Sequence, residues 1–111
     1  MKRDNLVYIE DRADAMDKAE LLLEGVTYEQ FEADFRINFA VVRALEIIGE
    51  AAKRLPQTLR DQYPAIPWKK MAGMRDSIIH GYDNVNLPIV WDTVKQEIPA
   101  IKPLLQQILA E

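Results

Sequence analysis

The chain contains no cysteine, so a disulfide framework and any thiolate metal site are excluded. Its single histidine leaves no paired imidazoles for a metal centre, and no glycine-rich phosphate loop is present. Long apolar runs are also missing: no stretch approaches the ~20 residues a membrane-spanning helix needs. The N-terminal MKRDNLVYIEDRAD is charged throughout and has no apolar core of the kind a secretory signal carries. Positive charge is in deficit, with 14 Lys and Arg against 18 Asp and Glu and a net charge of −4. A protein that coats nucleic acid nonspecifically needs a basic surface to release counterions, and this chain has none to spare. A basic cleft would have to be assembled locally, from Lys53, Arg54, Lys69, Lys70 and Arg75. With 49% hydrophobic residues, disorder is not expected. One domain spanning residues 1–111 and a cytoplasmic location are the expectation.

What is present has helical period throughout, and no alternating run points to a strand. A first helix is predicted over Asn5–Glu24, with Leu6, Ile9, Ala13, Met16 and Leu23 on one face and Glu10, Asp11, Asp14, Asp17 and Lys18 elsewhere. Gly25 suits its C-terminus. Thr27 is a plausible N-cap for a short helix from Tyr28, leading to a long one over about Phe35–Leu55. In the long helix the polar residues Arg36, Arg43, Glu46, Glu50 and Lys53 form one stripe, while Phe39, Val41, Val42, Leu45, Ile47, Ile48 and Ala52 are apolar. A helix wetted on only one strip is central, covered by its own domain or by a second subunit. Gly49 marks a close helix crossing. Pro56 ends this helix, and Pro64 and Pro67 frame a loop containing Tyr63 and Ile66. A helix from Trp68 towards His80 follows, and Asn86 caps a last one over Leu87–Ala110, kinked at Pro99. The fold class is all-α, an up-and-down bundle of about five helices.

On a wheel of about 100° per residue, Trp68, Met71, Ala72, Met74, Ile78 and Ile79 share one arc, opposite Lys69, Lys70, Gly73, Asp76 and Ser77. Arg75 lies in the middle of the apolar arc. An arginine is rarely buried unpaired, so Arg75 either meets a carboxylate, with Glu46 and Glu50 as candidates, or faces a cleft. His80, five positions on, is ~140° away around a straight helix. The two converge only if the helix ends near Gly81 or if a partner subunit supplies one of them. As a helix-terminal residue His80 would gain from the dipole in its protonated form, and a nearby Arg75 would oppose it. Those opposing effects leave room for a pKa near neutrality, where acid–base work is most efficient.

The stretch Arg75-Asp76-Ser77-Ile78-Ile79-His80-Gly81-Tyr82, downstream of Ala40–Leu55 (AVVRALEIIGEAAKRL) and of Ile66-Pro67-Trp68, resembles the HEPN superfamily in its HepT-like branch. The resemblance runs from about Asn5 to Leu109. It implies a HEPN-like helical bundle and a metal-independent endoribonuclease with no cofactor, the toxin half of a toxin–antitoxin pair. It further implies a cleft between two protomers lined by Arg75 and His80, with Tyr82 part of the active motif. A cognate nucleotidyltransferase antitoxin would neutralise the toxin, with transfer of AMP to Tyr82 as one route. Asp76 matches the polar residue after the motif arginine, and Glu50 is read as an orienting partner. Trp68 is read as core packing, and Lys69 and Lys70 as RNA contacts.

RNA carries its own nucleophile, the 2′-hydroxyl, so cleavage requires a base, a cation for the phosphorane and an acid for the leaving 5′-oxygen. One histidine per chain does not readily serve as both base and acid, which favours a homodimer. Two other readings remain open at this point. The chain is a non-catalytic substrate-binding or acceptor partner of a minimal nucleotidyltransferase, which its acidity suits, or a helical dimerisation module whose Arg75 forms a structural ion pair.

Overall fold

The structure is a computed structural model that describes residues 2–52, 54–78 and 85–111; the side chains of residues 51, 52 and 75–78 lie outside the description. Among the described residues the architecture is all-helical, without a β-strand, as the periodicity predicts. In chain order the helices are α1 (Arg3–Leu23), α2 (Tyr28–Ala33), α3 (Phe35–Ala52), α4 (Gln57–Gln62), α5 (Trp68–Ile78) and α6 (Leu87–Asp92). A π-helical turn (Thr93–Glu97) and α7 (Ile98–Leu109) complete the chain. No helix among the described residues is long and apolar enough to cross a membrane.

The turns form where the local chemistry directs. Gly25 adopts φ 71°, a left-handed conformation with little steric cost for glycine, and lets the chain leave α1. Thr27 and Gln30 then form a reciprocal capping box: the Gln30 N–H donates to Thr27 Oγ1 at 3.2 Å, and the Thr27 N–H donates to Gln30 Oε1 at 2.9 Å. Asp34, in an extended conformation, separates α2 from α3. Its carboxylate accepts the Arg36 N–H at 3.0 Å and the Arg36 guanidinium at 3.2 Å. Those hydrogen bonds hold the Asp34 carboxyl below the usual range. Asn38 is buried and donates to the Phe31 carbonyl at 3.1 Å, fastening α2 to the start of α3.

The core gathers around α3, which packs against α1 on one side and α5 on the other. Val41, Ala44, Leu45 and Ile48 of α3 are buried with Ile9, Met16, Ala19 and Leu23 of α1. Met71 and Met74 of α5 and Val94, Ile98, Ile101 and Leu105 of the C-terminal run join the same cluster. Gly49 is buried. Leu6, expected on the apolar face of α1, is only half-buried.

The structure adds a helix that the sequence does not announce: α4 occupies Gln57–Gln62 between Pro56 and Pro64, with Leu59 buried. At the expected disturbance near Pro99 the last helix carries a π-helical turn, which ends two residues before the proline, and the Ile98 N–H bonds to Thr93, five residues back. Phe39, among the apolar residues of α3 expected to be covered by the chain's own domain or by a second subunit, is 72% exposed within this chain and shares the outer strip with Arg43. It lies four residues before Arg43 and seven before Glu46, on the same helical face.

Replacing Leu105, fully buried at the centre of α7, with alanine should cost about 2–5 kcal/mol. Thr27→Ala should cost about 1 kcal/mol through loss of the cap. Urea unfolding followed by circular dichroism measures both. A Thr27→Ala protein as damaged as Leu105→Ala would contradict this division between cap and core.

Candidate active site

The motif lies on and just beyond α5, and the start of that helix is firmly held. The buried Trp68 indole N–H donates to the carbonyls of Tyr63 (3.0 Å) and Arg60 (3.2 Å), tying α5 to the end of α4. The Arg60 guanidinium in turn donates to the Leu55 carbonyl at 3.0 and 3.2 Å. Trp68 is thus a packing and anchoring residue, as expected. Trp68, Met71 and Met74 define the buried face of α5, while Lys69 and Lys70 are exposed. Arg75 follows Trp68 by seven and Met71 by four, so its backbone position falls in that buried register. Arg75 and Asp76 both lie within the helical run. His80, Gly81 and Tyr82 lie outside the described residues, as does Lys53.

The chain re-enters the description at Val85. Val85 and Leu87 form one wall of a cleft of about 380 Å³ whose other wall is α3, through Asn38, Phe39, Val42, Arg43 and Glu46. Asn86, between the two, caps α6: its side chain accepts the Ile89 N–H at 3.2 Å. The motif therefore connects a helix packed on α3 to a residue that itself lines a cleft on α3. Within that cleft Arg43 donates to Glu46 at 3.3 Å, with the arginine side chain 63% and the glutamate 27% exposed. Of the two carboxylates expected to meet Arg75, Glu46 has this partner, and Glu50 lies near a different arginine.

That arginine is Arg12 of α1, which sequence reasoning missed. It is 8% exposed, its guanidinium lies 5.5 Å from the Tyr8 ring centroid, and it donates to the Tyr8 carbonyl at 3.3 Å. Its nearest carboxylate among the described residues is Asp11 at 3.9 Å, and its Nε has no hydrogen-bond partner among them. Burial pushes the Arg12 guanidinium below its ordinary pKa, against the opposing pull of Asp11 and then Glu50. The signal was available: Arg12 sits three after Ile9 and four before Met16, on the apolar stripe of α1.

The two lysines proposed to contact RNA differ. Lys70 is paired with Glu97 at 2.6 Å, whereas Lys69 is exposed at the start of α5, about 9 Å along the helix axis from Arg75. Arg54 is exposed.

Comparison with known proteins gives this arrangement a family. The model of the ribonuclease HepT-like family matches residues 13–108, which include α5, the motif and both walls of the cleft. The chain belongs to that family. It is 43% identical over 108 residues to "Probable ribonuclease HepT" of Thermococcus cleftensis, covering 97% of this chain and 98% of the relative. It is also 43% identical over 110 residues to "Putative RNase MJ1216" of Methanocaldococcus jannaschii, covering 99% and 91%. A third relative, "Putative RNase TTE0752" of Caldanaerobacter subterraneus, shares 43% identity over 97 residues, covering 85% and 87%. No solved structure matches the chain.

Among the described residues the HepT-like chain thus carries a buried arginine, Arg12, whose desolvation is only partly compensated. Replacing such a charge with an apolar side chain of similar length is often neutral or stabilising. Arg12→Met should leave stability within about 1 kcal/mol of the wild type, or raise it. A loss of about 3–5 kcal/mol in urea unfolding would instead mean that Arg12 is held in a strong ion pair.

Proposed function

We propose that this protein is the toxin of a toxin–antitoxin pair, a metal-independent endoribonuclease acting as a homodimer in the cytoplasm. The observation that carries the reading is membership of the HepT-like ribonuclease family over residues 13–108, with the Arg75–His80–Tyr82 spacing intact in the sequence. In sequence the motif stands between α5, which packs on α3, and Val85, which lines a cleft on α3, and this supports the reading.

In this reading the RNA 2′-hydroxyl attacks the adjacent phosphorus and the bond to the 5′-oxygen breaks, leaving a 2′,3′-cyclic phosphate and a 5′-hydroxyl. One His80 imidazole accepts the proton of the 2′-hydroxyl. The second copy's imidazolium returns a proton to the leaving 5′-oxygen. The Arg75 guanidinium stabilises charge on the phosphorane. Asp76 and Glu50 orient motif residues, and Tyr82 completes the motif. Lys69 holds flanking phosphates, and Lys70 does so when released from Glu97. The antitoxin is a nucleotidyltransferase that moves AMP from ATP to the Tyr82 phenolic oxygen, releasing pyrophosphate. The added nucleotide fills the groove and repels the substrate phosphate.

Purified protein should cleave RNA in the presence of chelator, with products bearing cyclic phosphate ends. His80→Ala should lower the rate by about 10²–10⁴-fold, and Arg75→Ala by about 10²–10³-fold, without loss of helicity. End-group analysis of the products, with circular dichroism of each variant, checks this. An inert wild type that binds a nucleotidyltransferase and accepts AMP on Tyr82 would instead establish the non-catalytic acceptor role.

A further inference from the structure

A cleft of about 360 Å³ opens between α5 and the C-terminal run, with Lys70, Gly73 and Met74 on one wall and Ile89, Thr93 and Glu97 on the other. Across it the Lys70 ammonium meets the Glu97 carboxylate at 2.6 Å, with side chains 56% and 35% exposed. An ion pair this exposed is weak and screened by salt, so another anion can take the carboxylate's place at little cost. Lys69, next along the chain, is exposed and adds a second positive charge to this end of α5.

Two features of the walls go beyond a strut between helices. Ile89, Thr93 and Glu97 follow at four-residue intervals, which drift by about 40° each around a regular α-helix. The π-helical turn Thr93–Glu97, a wider coil, takes up that drift and keeps Glu97 facing α5. Opposite stands Gly73, inside α5, where alanine would be the better helix former. A Cβ built there meets nothing within 4 Å among the described residues, so packing within the chain does not call for glycine. A glycine so placed suits close approach of its backbone by a group from outside the chain.

We propose that this cleft is a subsite for an RNA phosphodiester that flanks the scissile one, and that the Glu97 carboxylate fills it in the free protein. Lys70 precedes Arg75 by five residues, about 7.5 Å along the helix axis and ~140° around it, so the two cations serve different phosphates. The incoming phosphate takes the Lys70 ammonium from Glu97 and lies along the open face at Gly73. Glu97 thereby competes with RNA for the ammonium and sets how tightly the strand is held. The inference rests on the endoribonuclease reading and deepens it, since it names the anion that Lys70 exchanges and the residue that withholds it.

Fluorescence anisotropy with the full chain and a single-stranded 2′-O-methyl RNA oligonucleotide, which lacks the 2′-hydroxyl nucleophile, measures binding apart from cleavage. Glu97→Gln should tighten binding about two- to fivefold. In a Lys70→Ala chain the same change should do no more than Glu29→Gln, an equal charge change at an exposed position on α2. Lys70→Ala should reduce the slope of log affinity against log salt by about 0.7, the share of one phosphate on a single strand. Gly73→Gln, whose side chain enters the cleft, should weaken binding while its circular dichroism stays that of the wild type. Tightening by Glu97→Gln that persists without Lys70, an unchanged salt slope in Lys70→Ala, or undiminished binding by Gly73→Gln would overturn the subsite. So would a Gly73→Gln chain that loses its helicity, since the glycine would then serve packing. Those outcomes, with wild-type protein still binding RNA, leave the endoribonuclease reading standing; no RNA binding by any of these chains would remove that reading as well.

Discussion

Everything in this protein is arranged around α3, a helix held between α1 and α5 that keeps one narrow strip for the outside. Its buried side supplies Val41, Ala44, Leu45 and Ile48 to the core, and that packing fixes where α5 lies. The Trp68 indole, bonded to two carbonyls at the end of α4, fixes the axial position of α5. The start of α5 is thereby held against α4, and the helix whose run includes Arg75 and Asp76 packs against α3.

Much of the fold was legible because its boundaries are written in residues with a single physical role. Gly25 takes the left-handed turn, Thr27 and Gln30 form the capping box, and Asn86 caps α6. Each acts locally, within three or four residues, so no tertiary knowledge was needed. What was not legible depends on partners distant in the chain or on segments too short for periodicity. α4 spans six residues between prolines, too few for a helical pattern to emerge. Pro99 announces a disturbance, and the π-helical turn Thr93–Glu97 lies directly before it, a form that the residue pattern alone does not specify. Phe39 is exposed within the single chain, and its spacing from Arg43 and Glu46 already puts it on the outer strip.

The candidate site divides in the same way. The motif residues Arg75, His80 and Tyr82 were recognisable from their spacing together with the Glu46–Ala52 stretch upstream, and the family match covers them. The surroundings were not. Arg12 was hidden by being charged on an apolar stripe, where a sequence pattern treats it as noise. Glu50 remains the proposed orienting partner of the motif, and its charge also favours the buried Arg12 guanidinium. Lys70 looked like a free cation until Glu97, 27 positions later, was seen to pair with it. An acidic protein that handles RNA has to gather its cations locally, and here several of them are already engaged by neighbouring carboxylates.

The central claim of the proposed function is that two chains make one competent groove between them. Specific RNA-cleavage activity measured across a dilution series, with the dimer fraction followed by sedimentation in the same buffer, tests it most directly. The account predicts that activity per chain falls in step with the dimer fraction as the protein is diluted. Activity per chain that stays constant after the protein has become monomeric would contradict it.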